Sequence, residues 1–244
     1  MRILTYATHS EGTFPDVARH PMVVVLGYGT PWKGYLHRMR VILEALHQIP
    51  NEEVVVLVDA FDTIIKKTTG LHEAFLAFDC AVLVSSEQKN GISKWVPAAV
   101  FKHYQRRIFG TCKGGHTANC GLLMGYVGAL KPLLERIARG GSSDDQRNLN
   151  AMCEDFPELR VDEDSLIFEN CQDRAQTASS RAFFCGLPGT LSGPRIMRAI
   201  GDYAGFLAME LSACGFVLIL LLFFAVRSII SRKCRPTLPQ GRSK

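Results

Sequence analysis

The sequence predicts an α/β fold built on a largely parallel sheet, and three observations lead to this prediction. Residues 54–58 read Val-Val-Val-Leu-Val, a continuous apolar run typical of a strand buried on both faces. Such runs alternate along the chain with segments of helical periodicity. A loop with glycines and a proline, residues 27–31, follows one of them. With 244 residues, 47% of them hydrophobic, the chain can bury one domain core, which we place at residues 1–200.

The first part of the chain alternates strands with helices. Residues 2–7 and 22–26 are short apolar runs, and each predicts a strand. Residues 35–48 carry apolar side chains at spacings that suit a helix packed on the sheet, and residues 71–78 also indicate a helix. The run Ala-Val-Leu-Val at residues 81–84 predicts the next buried strand.

The later part of the chain is less regular. Residues 119–125 combine an apolar run with glycines, which indicates backbone that comes close to another group. An amphipathic pattern predicts a helix at residues 127–139, and residues 166–168 predict a last short strand. Residues 172–182 are polar and predict a loop, and residues 183–189 lead from an apolar run into a Gly/Pro turn.

Two carboxylates, Asp59 and Asp62, stand at the end of the strand predicted for residues 54–58. Ligands of open α/β sheets bind outside the carboxyl ends of the strands, so both side chains are placed to face a ligand. Carboxylate oxygens suit a hard divalent cation, which in turn suits a substrate that carries phosphates. The pattern alone leaves an alternative equally open, in which Asp62 caps the next segment and Asp59 pairs with an arginine.

A second acidic group, Asp144 and Asp145 followed by Gln146, begins the helix predicted after the glycines at 140–141. Serine or aspartate at this place is what N-capping alone would select. Capping explains one carboxylate but leaves the adjacent second carboxylate and the glutamine unexplained. Asp144 and Asp145 are therefore candidate functional residues.

The charge of the chain does not indicate a nucleic-acid binder. The formal net charge is +5, but the last 18 residues contain Arg227, Arg232, Lys233, Arg235, Arg242 and Lys244. Without them the rest of the chain is near neutral.

The eight cysteines include no C-x-x-C pair, so we expect no structural zinc site. In an oxidising lumen, disulfides could form among Cys112, Cys120, Cys153, Cys171 and Cys185. The spacing of these cysteines does not indicate which of them pair.

Residues 206–230 predict a transmembrane helix. The sixteen residues 211–226 carry no charge, and the apolar character extends on both sides to give about 20 to 25 residues, enough to span a bilayer. A buried core helix is the competing interpretation, which an all-round apolar surface followed by a basic tail at residues 231–244 disfavours. The basic residues after the span favour a tail in the cytosol. This orientation would put residues 1–205 on the opposite side of the membrane.

This topology ordinarily needs an amino-terminal signal, and the sequence as given shows no apolar segment before its first strand. Two alternatives stay open: the start is incomplete, or the chain inserts as a tail anchor with its charges on the unusual side.

Taken in order, the motifs resemble the glycosyltransferase domain of procollagen lysyl hydroxylases and the related collagen hydroxylysine glycosyltransferases. Six short motifs carry the resemblance over residues 2–195, and each is weak by itself. They are Leu4-Thr5-Tyr6-Ala7-Thr8; Trp32-Lys33-Gly34 with Arg38-Met39-Arg40; Val58-Asp59-Ala60-Phe61-Asp62; Glu87 with Trp95 and Pro97; Asn119-Cys120-Gly121-Leu122-Leu123-Met124-Gly125; and Asp144-Asp145-Gln146. The predicted membrane span and its tail are not part of the resemblance.

The resemblance implies a GT-A fold, a Rossmann-like domain that binds a UDP-sugar, here followed by one carboxyl-terminal transmembrane helix. It implies Mn²⁺ bound by Asp59 and Asp62 against the diphosphate. By the same resemblance Tyr6 and Thr8 would touch the nucleotide, and Phe61 would lie against the uracil ring. The donor-binding residues it implies further along the chain are Arg38, Asn119 and Gly121.

For the acceptor side, the resemblance implies that Asp144 or Asp145 serves as the base or charge stabiliser for an attacking hydroxyl. The chain departs from the family at Cys185, which stands where the family has a histidine metal ligand and is a softer ligand poorly suited to Mn²⁺. Cys185 would bind the metal, a water would replace it, or catalysis would be impaired.

The expected function is a membrane-tethered, metal-dependent glycosyltransferase of the endoplasmic reticulum or Golgi. It would transfer galactose or glucose from UDP-galactose or UDP-glucose to a protein or glycan hydroxyl, of the hydroxylysine type that the resemblance implies. The alternatives are a catalytically degenerate, membrane-anchored module that binds a nucleotide-sugar or a protein, and a hydrolase that uses water as acceptor. The sequence does not separate retention from inversion at the anomeric carbon.

Overall fold

The structure, a computed structural model, describes residues 1–87 and 98–187, and residue 215. The chain divides into two compact units, Met1–Thr190 and Leu191–Lys244, and all described residues but one belong to the first. Apart from Gly215, the predicted membrane span and basic tail lie outside the described residues, as do Trp95 and Pro97. Within the described parts, no helix has the length and apolar character needed to cross a bilayer.

The described residues form strands and helices in alternation. The strands are β1 (Arg2–Tyr6), β2 (Val23–Leu26), β3 (Val54–Asp59), β4 (Thr63–Ile65), β5 (Val82–Ser86), β6 (Ala118–Tyr126), β7 (Leu159–Asp162), β8 (Phe168–Asn170) and β9 (Phe184–Gly186). The helices are α1 (Phe14–Arg19), α2 (Tyr35–Leu46), α3 (Leu71–Leu76), α4 (Ala98–Phe109), α5 (Val127–Ala138), α6 (Asp145–Met152) and α7 (Arg174–Ser179).

The main sheet has six strands in the order β2-β1-β3-β6-β5-β7. Strands β1, β2 and β3 pair in parallel, as do β5 and β7, whereas β6 runs antiparallel to both of its neighbours. The α/β class and the parallel-rich sheet are therefore confirmed. The direction of β6 places its first residues at the edge where β1, β3 and β5 end, which we call the carboxyl edge.

The alternation of side chains along β3 explains why its sequence is apolar throughout. Val55 and Leu57 belong to a core cluster with residues of α2 and α5, whereas Val54, Val56 and Val58 belong to a cluster on the other face. Helix residues Met39, Leu46, Leu130 and Leu134 are fully or almost fully buried in the first cluster, and Phe75, Phe168 and Phe184 in the second.

A second, three-stranded sheet has the order β4-β9-β8. Its first strand, β4, follows β3 after a short turn, and the backbone N–H of Leu187 donates to the carbonyl of Asp62 at 2.7 Å, which extends the pairing of β9 with β4. Residues 172–182, predicted as a loop, contain the short helix α7. Its cap is the Asp173 side chain, which accepts a hydrogen bond from the backbone N–H of Gln176 at 2.8 Å.

Several features were not predicted from the sequence. They are α1, β4, α4, β7, β9 and the antiparallel direction of β6. Among the candidate cysteines, Cys112 and Cys153 form a disulfide, whereas Cys120, Cys171 and Cys185 are free and buried.

Candidate active site at the carboxyl edge

Arg38, in the first turns of α2, links two of the predicted acidic residues. Its Nη1 donates to Oδ1 of Asp59, and its Nη2 donates to Oδ2 of Asp145 at 2.6 Å. The side chain of Arg38 is 12% exposed, that of Asp59 34% and that of Asp145 6%. A planar guanidinium is suited to this contact because its N–H groups point in fixed directions toward two oxygens.

The strand register places Asp59 where Arg38 reaches it. Asp59 is the last residue of β3 and the register partner of Tyr6 in β1. It follows Leu57 on the face covered by α2, because alternate residues of a strand share a face. Gly121 of β6 lies against the same carboxylate: a Cβ atom there would be 2.5 Å from Oδ2 of Asp59. Glycine therefore leaves the space that this carboxylate fills.

A second hydrogen-bonded group lies beside the first and is centred on Glu87, which follows β5. Oε2 of Glu87 accepts from Nδ2 of Asn119 at 2.9 Å and from Nε2 of Gln146 at 2.8 Å. Oδ1 of Asn119 accepts from the backbone N–H of Gly121 at 2.8 Å. These bonds tie β5, β6 and the start of α6 together at the carboxyl edge.

The acidic group at the start of α6 has divided roles. Oδ1 of Asp144 accepts from the backbone N–H of Arg147 at 2.9 Å and so caps the helix. Asp145 binds Arg38, and Gln146 binds Glu87. Capping thus explains Asp144, while the next two side chains connect the helix to the site.

The buried charges act on one another. Burial raises the pKa of Asp145 above its ordinary value, against the opposing effect of Arg38, and the nearby Asp144 raises it further. Burial alone would lower the pKa of Arg38, but Asp145 and Asp59 raise it well above the usual value, so the guanidinium stays charged. Burial and then Asp145 raise the pKa of the Cys120 thiol, which is therefore neutral.

The residues predicted to touch the nucleotide lie at the ends of β1 and β3. Tyr6 packs beside Trp32, with ring centroids 5.9 Å apart, and its buried hydroxyl has no hydrogen-bond partner among the described residues. Thr8 follows β1, and its carbonyl accepts from the backbone N–H of Gly29 at 3.0 Å. Phe61 follows β3 and contacts the His9 ring at 5.0 Å between centroids. The three predicted residues thus share this end of the two strands.

The predicted metal site is not assembled as expected. No group of three or more His, Cys, Asp or Glu side chains is arranged to hold a metal ion in the parts of the chain that the structure describes. Asp59 is bound to Arg38, and Cys185 is fully buried in an apolar cluster with Cys171 and Leu187. Asp59, Asp62 and Cys185 therefore do not fit a shared Mn²⁺ site in this arrangement. Cys185 does not lie at the predicted metal site, because β9 pairs with β4 and the Cys185 side chain packs in that apolar cluster.

The alternative that Asp59 pairs with an arginine is the arrangement found, and the partner is Arg38. Glu87 was predicted as a site residue only through the resemblance. Its position directly after the buried strand β5 was the available signal, the same one that identified Asp59 after β3.

No protein-family model matches the chain, and no curated protein matches it. Solved structures that are similar to the chain include a glycosyltransferase involved in the glycosylation of the major capsid of PBCV-1. That protein is 11% identical with a TM-score of 0.47, over 78% of this chain and 93% of the other. Another is the galactosyltransferase LgtC in complex with donor and acceptor sugar analogs, 14% identical with a TM-score of 0.46, over 78% of this chain and 88% of the other. Similarity at this level carries no argument about activity, and the finer resemblance to hydroxylysine glycosyltransferases stays a prediction.

Proposed function

We propose that the chain is a hexosyltransferase that moves galactose or glucose from a UDP-sugar to a hydroxyl acceptor. The observation that carries the proposal is the Arg38 bridge between Asp59 and Asp145 at the carboxyl edge, where open α/β sheets bind their ligands. A guanidinium at this place suits a diphosphate, because it binds phosphate oxygens with the same fork that binds carboxylates.

In the reaction, the acceptor oxygen forms a bond to the anomeric carbon while the bond from that carbon to the diphosphate breaks. UDP leaves with the bonding electrons, so negative charge grows on its phosphate. Arg38 exchanges a carboxylate for this phosphate and stabilises the charge. The released Asp145 takes the proton of the acceptor hydroxyl, and its raised pKa makes it a stronger base than an ordinary aspartate.

Two buried donors support a nucleotide-sugar at this place. The hydroxyl of Tyr6 and the Nε of Arg38 have no hydrogen-bond partner among the described residues. Buried polar groups are almost always paired, so a ligand with several oxygens is a suitable partner. Thr8, Phe61, Asn119 and Gly121 complete the proposed donor site.

The proposal assigns no step to a metal, because Asp59, Asp62 and Cys185 do not form a shared ligand group. Mn²⁺ dependence stays a prediction of the resemblance, as does a hydroxylysine-type acceptor.

We also propose a single-pass anchor at residues 206–230 in the endoplasmic reticulum or Golgi, which the apolar sequence of that segment supports.

The second candidate is a catalytically degenerate module that binds a nucleotide-sugar or a protein. One observation favours it: both carboxylates are already paired with Arg38, so neither is open to an acceptor until that bridge changes.

The test is release of UDP from UDP-galactose and UDP-glucose by the full chain, with and without added hydroxyl acceptors. Arg38→Met and Arg38→Lys are compared with Arg40→Met, a matched control on the exposed side of the same helix. We expect both Arg38 variants to lose at least about 100-fold in turnover, the size of effect seen on removal of one stabilising donor, with no change for Arg40→Met. UDP binding without turnover in the unmodified chain would favour the module, and the absence of both would refute the hexosyltransferase and the nucleotide-sugar module together, leaving the protein-binding module.

A further inference from the structure

A cavity of about 510 Å³ opens next to Glu87. Ser86 and Glu87 form one wall, and Glu169, Asn170 and Gln176, from β8 and α7, contribute to the others. Its volume falls in the range of roughly 300 to 1,000 Å³ that is usual for small-molecule sites.

Glu87 belongs both to this cavity and to the proposed active site. The oxygen that accepts from Asn119 also accepts from Gln146, the residue next to Asp145. A ligand that fills the cavity therefore contacts Glu87, which is hydrogen-bonded to the sequence neighbour of the residue that pairs with Arg38. A second cavity, of about 490 Å³, includes Glu158 and Arg160 near the amino ends of β5 and β7, on the opposite edge of the sheet. Of these two cavities, the first contains a residue of the proposed active site, Glu87.

Hydrogen bonds fix part of the lining before any ligand arrives. Nδ2 of Asn170 donates to the carbonyl of Ser86 at 2.7 Å, and Nε2 of Gln176 donates to Oε1 of Glu169 at 2.9 Å. Side chains that are already oriented lose little entropy on binding. The wall is thus prepared for a ligand of defined shape.

The polar groups of the lining differ in what they can offer a ligand. Lys67 and Arg181 only donate hydrogen bonds, the carboxylates of Glu169 and Asp164 only accept, and amides do both. Each hydroxyl of a sugar both donates and accepts, so a ring with several hydroxyls can satisfy such a mixed set. The Phe183 ring is the aromatic part of the lining. Nζ of Lys67 lies over one face of this ring, 4.5 Å from its centroid.

We propose that this cavity is the acceptor site and that the acceptor is a carbohydrate, bound through its ring hydroxyls. This rests on the proposed hexosyl transfer and narrows its acceptor from a protein or glycan hydroxyl to a glycan hydroxyl. One hydroxyl of the bound sugar points past Glu87 to the anomeric carbon of the donor. The sugar oxygen forms the new glycosidic bond, UDP leaves, and the proton goes to Asp145 as described above.

The test uses methyl β-galactoside and methyl β-glucoside as acceptor probes, and a serine- or hydroxylysine-containing peptide as the competing class. Lys67→Met and Gln176→Leu change the cavity, and Arg160→Met in the cavity at the opposite edge is the matched control. We expect each cavity variant to raise the KM for the glycoside at least tenfold, with the KM for the UDP-sugar and its hydrolysis by water unchanged. Saturation-transfer NMR of the glycosides gives a second readout that needs no turnover, and it should lose its signal in the same two variants.

The proposal is overturned if the glycosides neither bind nor accept sugar, if the peptide alone is glycosylated, or if the cavity variants behave as the control does. Thermal melting of each variant separates loss of binding from loss of folding. Intact hydrolysis of the UDP-sugar together with unaffected glycoside kinetics would refute the acceptor site alone, whereas absence of any UDP-sugar turnover would refute hexosyl transfer as well.

Discussion

Arg38 serves two carboxylates in different surroundings. Asp145 is 6% exposed, whereas Asp59 is 34% exposed and partly solvated. Water thus reduces the cost of charge on Asp59 but not on Asp145. This difference agrees with the raised pKa of Asp145. Of the two carboxylates, Asp145 is therefore the one whose negative charge costs more in the folded protein.

Asp145→Asn tests this difference. Because the folded-state pKa of Asp145 is raised, its contribution to stability is present below its unfolded pKa and is lost as the pH rises through the folded value. At pH 7 the charge is therefore a cost, and Asn removes it while Asp59 still neutralises Arg38. We expect a higher free energy of unfolding at pH 7 in urea titration, together with roughly 100- to 10,000-fold lower turnover.

Asp144→Asn is the comparison: Asn caps a helix about as well as Asp, and the change removes only the smaller effect of Asp144 on the pKa of Asp145, so any gain in stability should be smaller than for Asp145→Asn. A drop in the stability of Asp145→Asn at pH 7 would contradict the proposed cost of the buried charge.

Gly121→Ala tests how closely Asp59 is held. The added Cβ would lie 2.5 Å from Oδ2 of Asp59 and 2.9 Å from Oδ1 of Asn119, so the carboxylate that binds Arg38 must shift from its present position. We expect UDP affinity to fall about tenfold, measured by calorimetry. Gly141→Ala is the matched control, because no atom lies within 4 Å of its Cβ position and affinity should not change.

At the level of the elements, the fully buried Asp162 at the end of β7 organises the loop that leads to β8. Its carboxylate accepts from the backbone N–H groups of Leu166, Ile167 and Phe168 at 2.9, 2.8 and 2.7 Å. Removal of the carboxylate leaves these donors unsatisfied, at roughly 1 to 3 kcal/mol for each buried group.

We therefore expect Asp162→Ala to lower the free energy of unfolding by about 3 kcal/mol or more in urea titration. Asp164→Ala, two residues later and exposed, should change it by less than about 0.5 kcal/mol. Equal effects of the two variants would refute the role given to Asp162.

Cys185→Ala tests the separation of β9 from the proposed metal site. The thiol lies among Ile64, Cys171 and Leu187, so its loss should leave any response to Mn²⁺ unchanged. The measurement is the Mn²⁺ concentration that gives half-maximal UDP binding or turnover, and Asp59→Asn is the comparison at the bridge. A large rise in that concentration for Cys185→Ala alone would return Cys185 to the ligand set.

Predictability of the elements followed the strength of their local pattern. The runs at residues 54–58 and 35–48 were recognisable because buried strands and amphipathic helices repeat at fixed periods. An apolar run does not encode strand direction, so β6 was recognised as apolar but not as antiparallel. The helix α7 was missed because a short polar helix held by a cap and by neighbours has little hydrophobic periodicity.

Across the whole molecule, the site was more predictable in its residues than in their partners. Asp59, Arg38, Asn119, Gly121 and Asp145 were all named from the sequence, and the fold brings them to one edge. That Arg38 would join two carboxylates depends on the register of β3 and on the placement of α2 and α6, which no local pattern contains. Cys185 was assigned by position in a motif, and position does not specify what surrounds a side chain.

The central claim is that the buried guanidinium of Arg38 holds the diphosphate of a nucleotide-sugar. The most direct measurement is calorimetric titration of UDP into the full chain and into Arg38→Met and Arg40→Met, at equal ionic strength and with folding confirmed by thermal melting. We predict that Kd rises at least tenfold for Arg38→Met and stays within twofold for Arg40→Met. An unchanged Kd for a folded Arg38→Met would contradict the claim.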